Sequence, residues 1–115
     1  MIIYVFVFVF MGCLFIGFAI PLILRKVPPN IWYGFRFPKT VNNPKVWYPA
    51  NHYSGKLLLY AGILTIGLSM ICASLPGITP ERYAVLVSIL LIGIIAVVLF
   101  FSILYVNSID RSDGN

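Results

Sequence analysis

Residues 2–24 read IIYVFVFVFMGCLFIGFAIPLIL and carry no charged side chain from end to end. An uncharged apolar run of about eighteen residues or more is long enough to cross the hydrocarbon of a bilayer as a helix. Two further runs of this kind follow, at residues 57–75 and 84–106. At a rise of about 1.5 Å per residue each reaches roughly 28 Å or more, close to the hydrocarbon thickness. Helix is the conformation required of them, since a solitary strand in lipid leaves its backbone groups unpaired. The composition agrees: 61% of the 115 residues are hydrophobic and 10% are charged, a balance no water-soluble fold of this size needs. The sequence predicts an all-α membrane protein, one domain over residues 1–115. It has three transmembrane helices and a structured, basic cytoplasmic loop, residues 25–56, between the first and second.

The first run is read as a retained span and not as a cleaved leader. It is too long for a leader's apolar core, no basic residue precedes it, and no A-x-A site follows it; the pair Arg25 and Lys26 comes after it. Orientation follows from the cations. Arg25, Lys26, Arg36, Lys39, Lys45 and Lys56 all fall in the first connection, which is short enough for the positive-inside rule. That connection and the C-terminus are therefore expected in the cytoplasm, and the N-terminus outside. The second connection holds only Glu81 and Arg82 and offers no counterweight. Trp32, Tyr33, Phe35, Phe37, Trp47, Tyr48 and Tyr53 suit a segment lying against the headgroups, with Trp32 and Trp47 as interfacial anchors.

Prolines and glycines punctuate the chain. Pro21, in the last turn of the first helix, removes a hydrogen bond and should kink that end, and Pro28 and Pro29 stop any continuation. Residues 30–40 read as irregular backbone, with Gly34 available for a conformation other residues avoid. Asn43 before Pro44 is a helix-start signal. Pro49 comes about one turn later, so the expectation is a short turn over residues 43–48, a bend at Pro49, then the second span. On that span's helix Asn51, Gly55 and Gly62 fall near one stripe, with His52 and Lys56 as the neighbouring row. Leu75-Pro76-Gly77 ends it; Thr79 caps the third helix, with Pro80 at its first position and Glu81 in its first turn. Residues 107–115 read as a frayed polar tail. Cys13 and Cys72 differ in expected depth by roughly 10 Å, too far for a disulfide, and are read as buried apolar thiols. Gly12, Gly17, Gly62, Gly67 and Gly93 would allow close helix approach and hence a homo-oligomer, although no G-x-x-x-G pair occurs.

No Asp, Glu, Lys, Arg or His sits in the core of any span, which argues against an ion-coupled transporter or proton relay. The sole histidine, His52, offers no metal cluster with the scattered cysteines and acids, and no nucleophile lies beside a base. The chain does not read as an enzyme, and no cofactor is expected. What remains is the first connection, six cations with no acid between Arg25 and Lys56. Counter-charge has to come from Asp110 and Asp113 in the tail, or from membrane lipids, whose phosphates attract juxtamembrane cations by about 1 kcal/mol each. The lipid reading suits Lys26, Lys39, Lys45 and Lys56. Arg36 sits between Phe35 and Phe37, two residues after Gly34 and two before Pro38. A planar guanidinium held so rigidly suits either carbonyls at the protein's own helix ends or the carboxylate or phosphate of an external partner. Asn30, Thr40, Asn43 and Asn51 are residue types of turns and caps, and His52 reads as a hydrogen-bonded interface residue.

Taken in order, Asn30, Gly34, Arg36, Pro38, Thr40, Asn43, Trp47, Asn51-His52 and Gly55-Lys56 make a pattern that resembles the signature of the SdpI family of bacterial membrane proteins. That signature runs P-N-x-x-x-G-x-R-T-P-x-T, then N-x-x-x-W, then an Asn or His leading into a span. The three-span layout extends the likeness over most of the chain. Phe37 stands where the family usually has Thr, and Pro49 interrupts a stretch the family tends to keep helical. The best-known member, an immunity protein, carries a further membrane region before this one; the present chain is expected to lack it, so member-specific functions are not carried over. The resemblance implies a protein of the bacterial plasma membrane that confers resistance to a secreted, membrane-damaging peptide toxin. It also implies signalling in which a cytosolic transcriptional repressor is captured. A basic, aromatic cytoplasmic platform suits an acidic partner surface. The alternative is therefore a membrane scaffold or sensor that recruits a cytosolic regulator or anionic lipid, without direct contact to nucleic acid. Asn30, Gly34, Arg36, Pro38, Thr40, Asn43, Trp47, Asn51 and His52 are the candidate partner-binding residues.

Overall fold

The computed structural model describes residues 1–28 and 44–113. These form three helices, α1 (Ile2–Ile23), α2 (Pro44–Ala73) and α3 (Pro80–Asp113), with no strand among the described residues. Each is long and apolar enough to cross a membrane, over Ile2–Ile23, Lys45–Ala73 and Pro80–Ile109. Large apolar side chains such as Phe6, Ile2 and Ile92 stand fully outward. In water that surface would drive aggregation; in a bilayer it is what the lipid tails wet. The most apolar stretches of α1 and α3 are 17% and 11% buried within the protein, against 28% for α2, which makes α2 the central helix.

Three kinds of contact set the arrangement. Along α1 and α2, the glycines at 12, 55 and 62 let the backbones approach closely. At the end where α2 turns into α3, Phe8 of α1, Cys72 of α2 and Tyr83, Val87 and Leu91 of α3 form one apolar cluster. There Tyr83 packs edge-on to Phe8 and donates its hydroxyl to the Ser69 carbonyl at 3.0 Å. At the opposite end, Val46 and Ala50 of α2 bury against Val106 of α3, with Ile109 alongside.

The hairpin between α2 and α3 follows its residue chemistry. The Ile78 amide reaches back to the Leu75 carbonyl across Pro76 and Gly77, and Gly77 has φ +72°. Proline then glycine at the centre of such a turn is the type II signature, since only glycine takes the positive φ without strain. Thr79 caps α3 as expected, its Oγ1 accepting the Arg82 amide at 3.2 Å.

Three expectations are corrected. No bend separates a short turn from the second span: α2 starts at Pro44 and runs unbroken through Pro49. The amides of a helix's first turn lack intrahelical partners anyway, so a proline this near the start removes one bond beside an end. Burial of Val46, Trp47 and Ala50 to 1% exposure or less offsets it. Nor does the chain fray after Val106, because α3 continues to Asp113 and its extension packs on the first turns of α2. The supposed loop of residues 25–56 is thus helical from Pro44 onward. Finally, Cys72 is buried but Cys13 is exposed; both are free thiols. Cys13 follows Gly12, which faces α2, and points elsewhere, where lipid tails suit a small apolar thiol.

Candidate functional site: a side-chain cap on the first helix

An α-helix leaves its last four carbonyls without intrahelical donors unless the chain after it supplies them. In α1 those of Ile20, Pro21, Leu22 and Ile23 are all satisfied. Leu24 N–H bonds Ile20 O at 3.0 Å, Lys26 N–H bonds Pro21 O at 3.0 Å, and Arg25 N–H bonds Leu22 O at 3.2 Å. The last two bonds make a Schellman ending, which needs a left-handed residue after the cap; here Arg25 takes that place, with φ 58°. Glycine would hold it without strain, whereas a residue with a Cβ costs about 1–2 kcal/mol. The fourth carbonyl, Ile23 O, lies 2.6 Å from His52 Nδ1. A carbonyl only accepts, so Nδ1 carries the proton in this bond.

Trp47 continues the closure one step along the chain. Its indole N–H donates to Val27 O at 2.8 Å, and its ring is completely buried. The expected interfacial anchor is therefore an internal clamp. The reason is the bend in the chain after α1, which turns a backbone carbonyl inward and requires a buried donor. Asn51 is buried as well, and its Nδ2 donates to the Trp47 carbonyl one turn back, at 3.0 Å.

Gly55 makes the geometry reachable. A Cβ there would sit 3.0 Å from Leu22 Cβ, 3.1 Å from Ile23 Cγ1 and 3.2 Å from Ala19 O, so a side chain would hold α1 away from His52. On its other flank α2 is fixed to α3. Ser54 and Ser102 are both buried and share a 2.8 Å hydroxyl hydrogen bond, and Tyr53 stacks on Tyr105 with ring centres 4.2 Å apart.

Of the nine candidate residues, the structure brings Trp47, Asn51 and His52 together around the end of α1. Asn30, Gly34, Arg36, Pro38, Thr40 and Asn43 lie outside the described residues. Sequence reading passed over Ser54, Ser102, Gly55 as a contact, and Tyr105. The available signal was the polar stripe of Asn51 and Ser54 entering an apolar span, where a hydroxyl needs a partner.

Arg25, Lys26, Lys45 and Lys56 are exposed around this end. No acid precedes Glu81, in the first turn of α3 at the far end of the α2–α3 hairpin; Asp110 and Asp113 lie in the last turn of α3, at this end. Among the described residues no three His, Cys, Asp or Glu side chains group as metal ligands. A groove of about 490 Å³ between α2 and α3, lined by residues such as Leu57, Leu64, Ile89 and Val97, offers only the Tyr60 hydroxyl as a polar group. It has nothing with which to hold an ion.

The sequence profile of the SdpI/YfhL protein family matches residues 26–106, well over half of the chain. The chain belongs to that family. The segment shared with the SdpI/YfhL family starts in the exit from α1 and ends at Val106, where α3 buries against α2, so it contains Val27, Trp47 and His52 of the clamp, all of α2 and α3 as far as Val106. The uncharacterized protein YfhL of Bacillus subtilis (strain 168) is 27% identical over an alignment of 56 residues that covers 46% of this chain and 51% of that protein. The chain thus spans about half the length of this curated relative. No solved structure matches.

Proposed function

We propose that this member of the SdpI/YfhL family is a non-catalytic protein of the bacterial plasma membrane that gives immunity to a secreted, membrane-damaging peptide toxin. Its N-terminus lies outside and its C-terminus in the cytoplasm. The observation that carries the reading is the family match over residues 26–106, which spans the motif, α2 and most of α3. The geometry supplies a physical means. The outward apolar faces of the three helices are the surfaces a membrane-inserting peptide meets first. The cap formed by Trp47 and His52 fixes α1 against α2, so those faces keep one spacing. Arg36 and its neighbours in the motif supply the cytoplasmic contact.

The test is membrane potential, read with a voltage-sensitive dye in toxin-sensitive bacteria that express the chain and are challenged with a secreted depolarising peptide. Wild type should hold the potential, whereas Arg36→Ala at equal expression should lose it. Depolarisation with both proteins, across peptides from neighbouring genomes, would remove the immunity reading. Recruitment of a cytosolic regulator by the basic segment would then be the better account.

A further inference from the structure

We propose that the rim of the α1 cap is a binding site for one anionic phospholipid, its phosphate held by Arg25 and Lys56 and its acyl chain lying along Ile20 and Leu24. The proposal is independent of the immunity reading. It starts from depth. The uncharged run of α1 ends at Leu24 and that of α2 begins at Leu57, so Arg25 and Lys56 flank the apolar slab at the same boundary. They also flank one contact between the two helices. Lys56 lies one turn beyond His52 on the same stripe of α2, and His52 touches Ile23, two residues before Arg25. Gly55, adjacent to Lys56, packs directly on Leu22 and Ile23.

A helix C-terminus ordinarily repels an anion, because its unpaired carbonyls carry partial negative charge. Here every one of those carbonyls already has a donor, and His52 supplies the last. His52 is thus a positioning residue for the site. With the carbonyls quenched and no acid on α1 or α2, the field where these two helices meet comes from Arg25, Lys26 and Lys56. The acids at this end of the protein, Asp110 and Asp113, belong to the last turn of α3. Alongside them Ile20 and Leu24, one turn apart on α1, are 47% and 55% exposed. Cations beside an outward apolar stripe at the end of the uncharged run match an amphiphile with a phosphate and a tail, and not an acidic protein surface, which has no tail to place there.

The experiment uses the full chain in detergent micelles, titrated with phosphatidylglycerol or phosphatidylcholine and read by native mass spectrometry. Phosphatidylglycerol should bind in preference to phosphatidylcholine. With each cation contributing about 1 kcal/mol, Lys56→Gln should weaken it about five-fold and the pair Arg25→Gln, Lys56→Gln about thirty-fold. Lys45→Gln, a control outside the site, should leave it unchanged. Unchanged affinity in Lys56→Gln, or an equal loss in Lys45→Gln, would overturn the site. Competition by soluble glycerol phosphate as effective as that by the lipid would overturn the lipid as its occupant. Should Arg25→Gln disturb the fold, seen as lost helicity by circular dichroism, the Lys56→Gln result decides alone.

Discussion

Gly12 and Gly62 each place a carbonyl oxygen where the other's side chain would begin. A Cβ built on Gly62 would lie 2.7 Å from Gly12 O, and one built on Gly12 would lie 2.8 Å from Gly62 O. The crossing of α1 and α2 is therefore a backbone-to-backbone contact, which lipid-soluble helices use because apolar side chains gain little by leaving lipid for one another. Three other glycines suggested for helix approach, Gly17, Gly67 and Gly93, have no atom within 4 Å of the corresponding Cβ position.

Substitution at the crossing should be costly and at the open positions harmless. Gly62→Val must displace main chain and not a flexible tip, so a loss of about 1–3 kcal/mol is expected. Gly67→Ala meets open space and removes a helix-weakening glycine, so it should be neutral or slightly stabilising. Unfolding of both variants in mixed micelles, followed by circular dichroism, checks the contrast.

The clamp can be removed one donor at a time. Trp47→Phe keeps the ring and deletes the N–H that serves Val27 O; His52→Leu deletes the donor to Ile23 O. Each should cost about 1–3 kcal/mol, because a carbonyl is left unsatisfied. Hydrogen exchange at the Arg25 and Lys26 amides, which close the helix on Leu22 and Pro21, should speed up in both variants.

Ser54 and Ser102 make a buried hydroxyl pair between α2 and α3. A double-mutant cycle with alanine at both positions is expected to give a coupling of about 0.6 kcal/mol, and no more than about 1.7 kcal/mol. Zero coupling would mean the two hydroxyls do not bond to each other.

Arg25→Gly should act in opposite directions on two properties. The left-handed conformation at φ 58° becomes free of strain, so stability should rise by about 1 kcal/mol. Anionic lipid retention should fall, because a cation is gone. A variant that is both more stable and a weaker lipid binder is the expected result, with melting temperature and native mass spectrometry as the two readouts.

A reporter fused after Asn115 should behave as cytoplasmic, as the six cations of the first connection require. An external signal would reverse the orientation.

How far each of these features was legible depended on how locally it was encoded. Uncharged runs announce the three crossings wherever they occur. Pro76-Gly77 and Thr79-Pro80 specify the hairpin through the angles and donors of those residues themselves. Pro49 misled because its local preference for ending a helix was outweighed by burial of Val46, Trp47 and Ala50, a gain that exists only once α3 is alongside. Residues 107–109 misled for the same reason in reverse: polar neighbours suggested fraying, and Ile109 packs instead.

By itself, then, the sequence determined a membrane protein of three helices, the hairpin joining the last two, and the motif Trp47, Asn51 and His52 as worth attention. Length, hydropathy and turn chemistry act within a few residues, so no partner is needed to read them. What Trp47 and His52 do was decided by the tertiary structure. Their acceptors, Val27 and Ile23, lie 20 and 29 residues away. They come within reach only because Gly12, Gly55 and Gly62 let α1 lie directly on the backbone of α2.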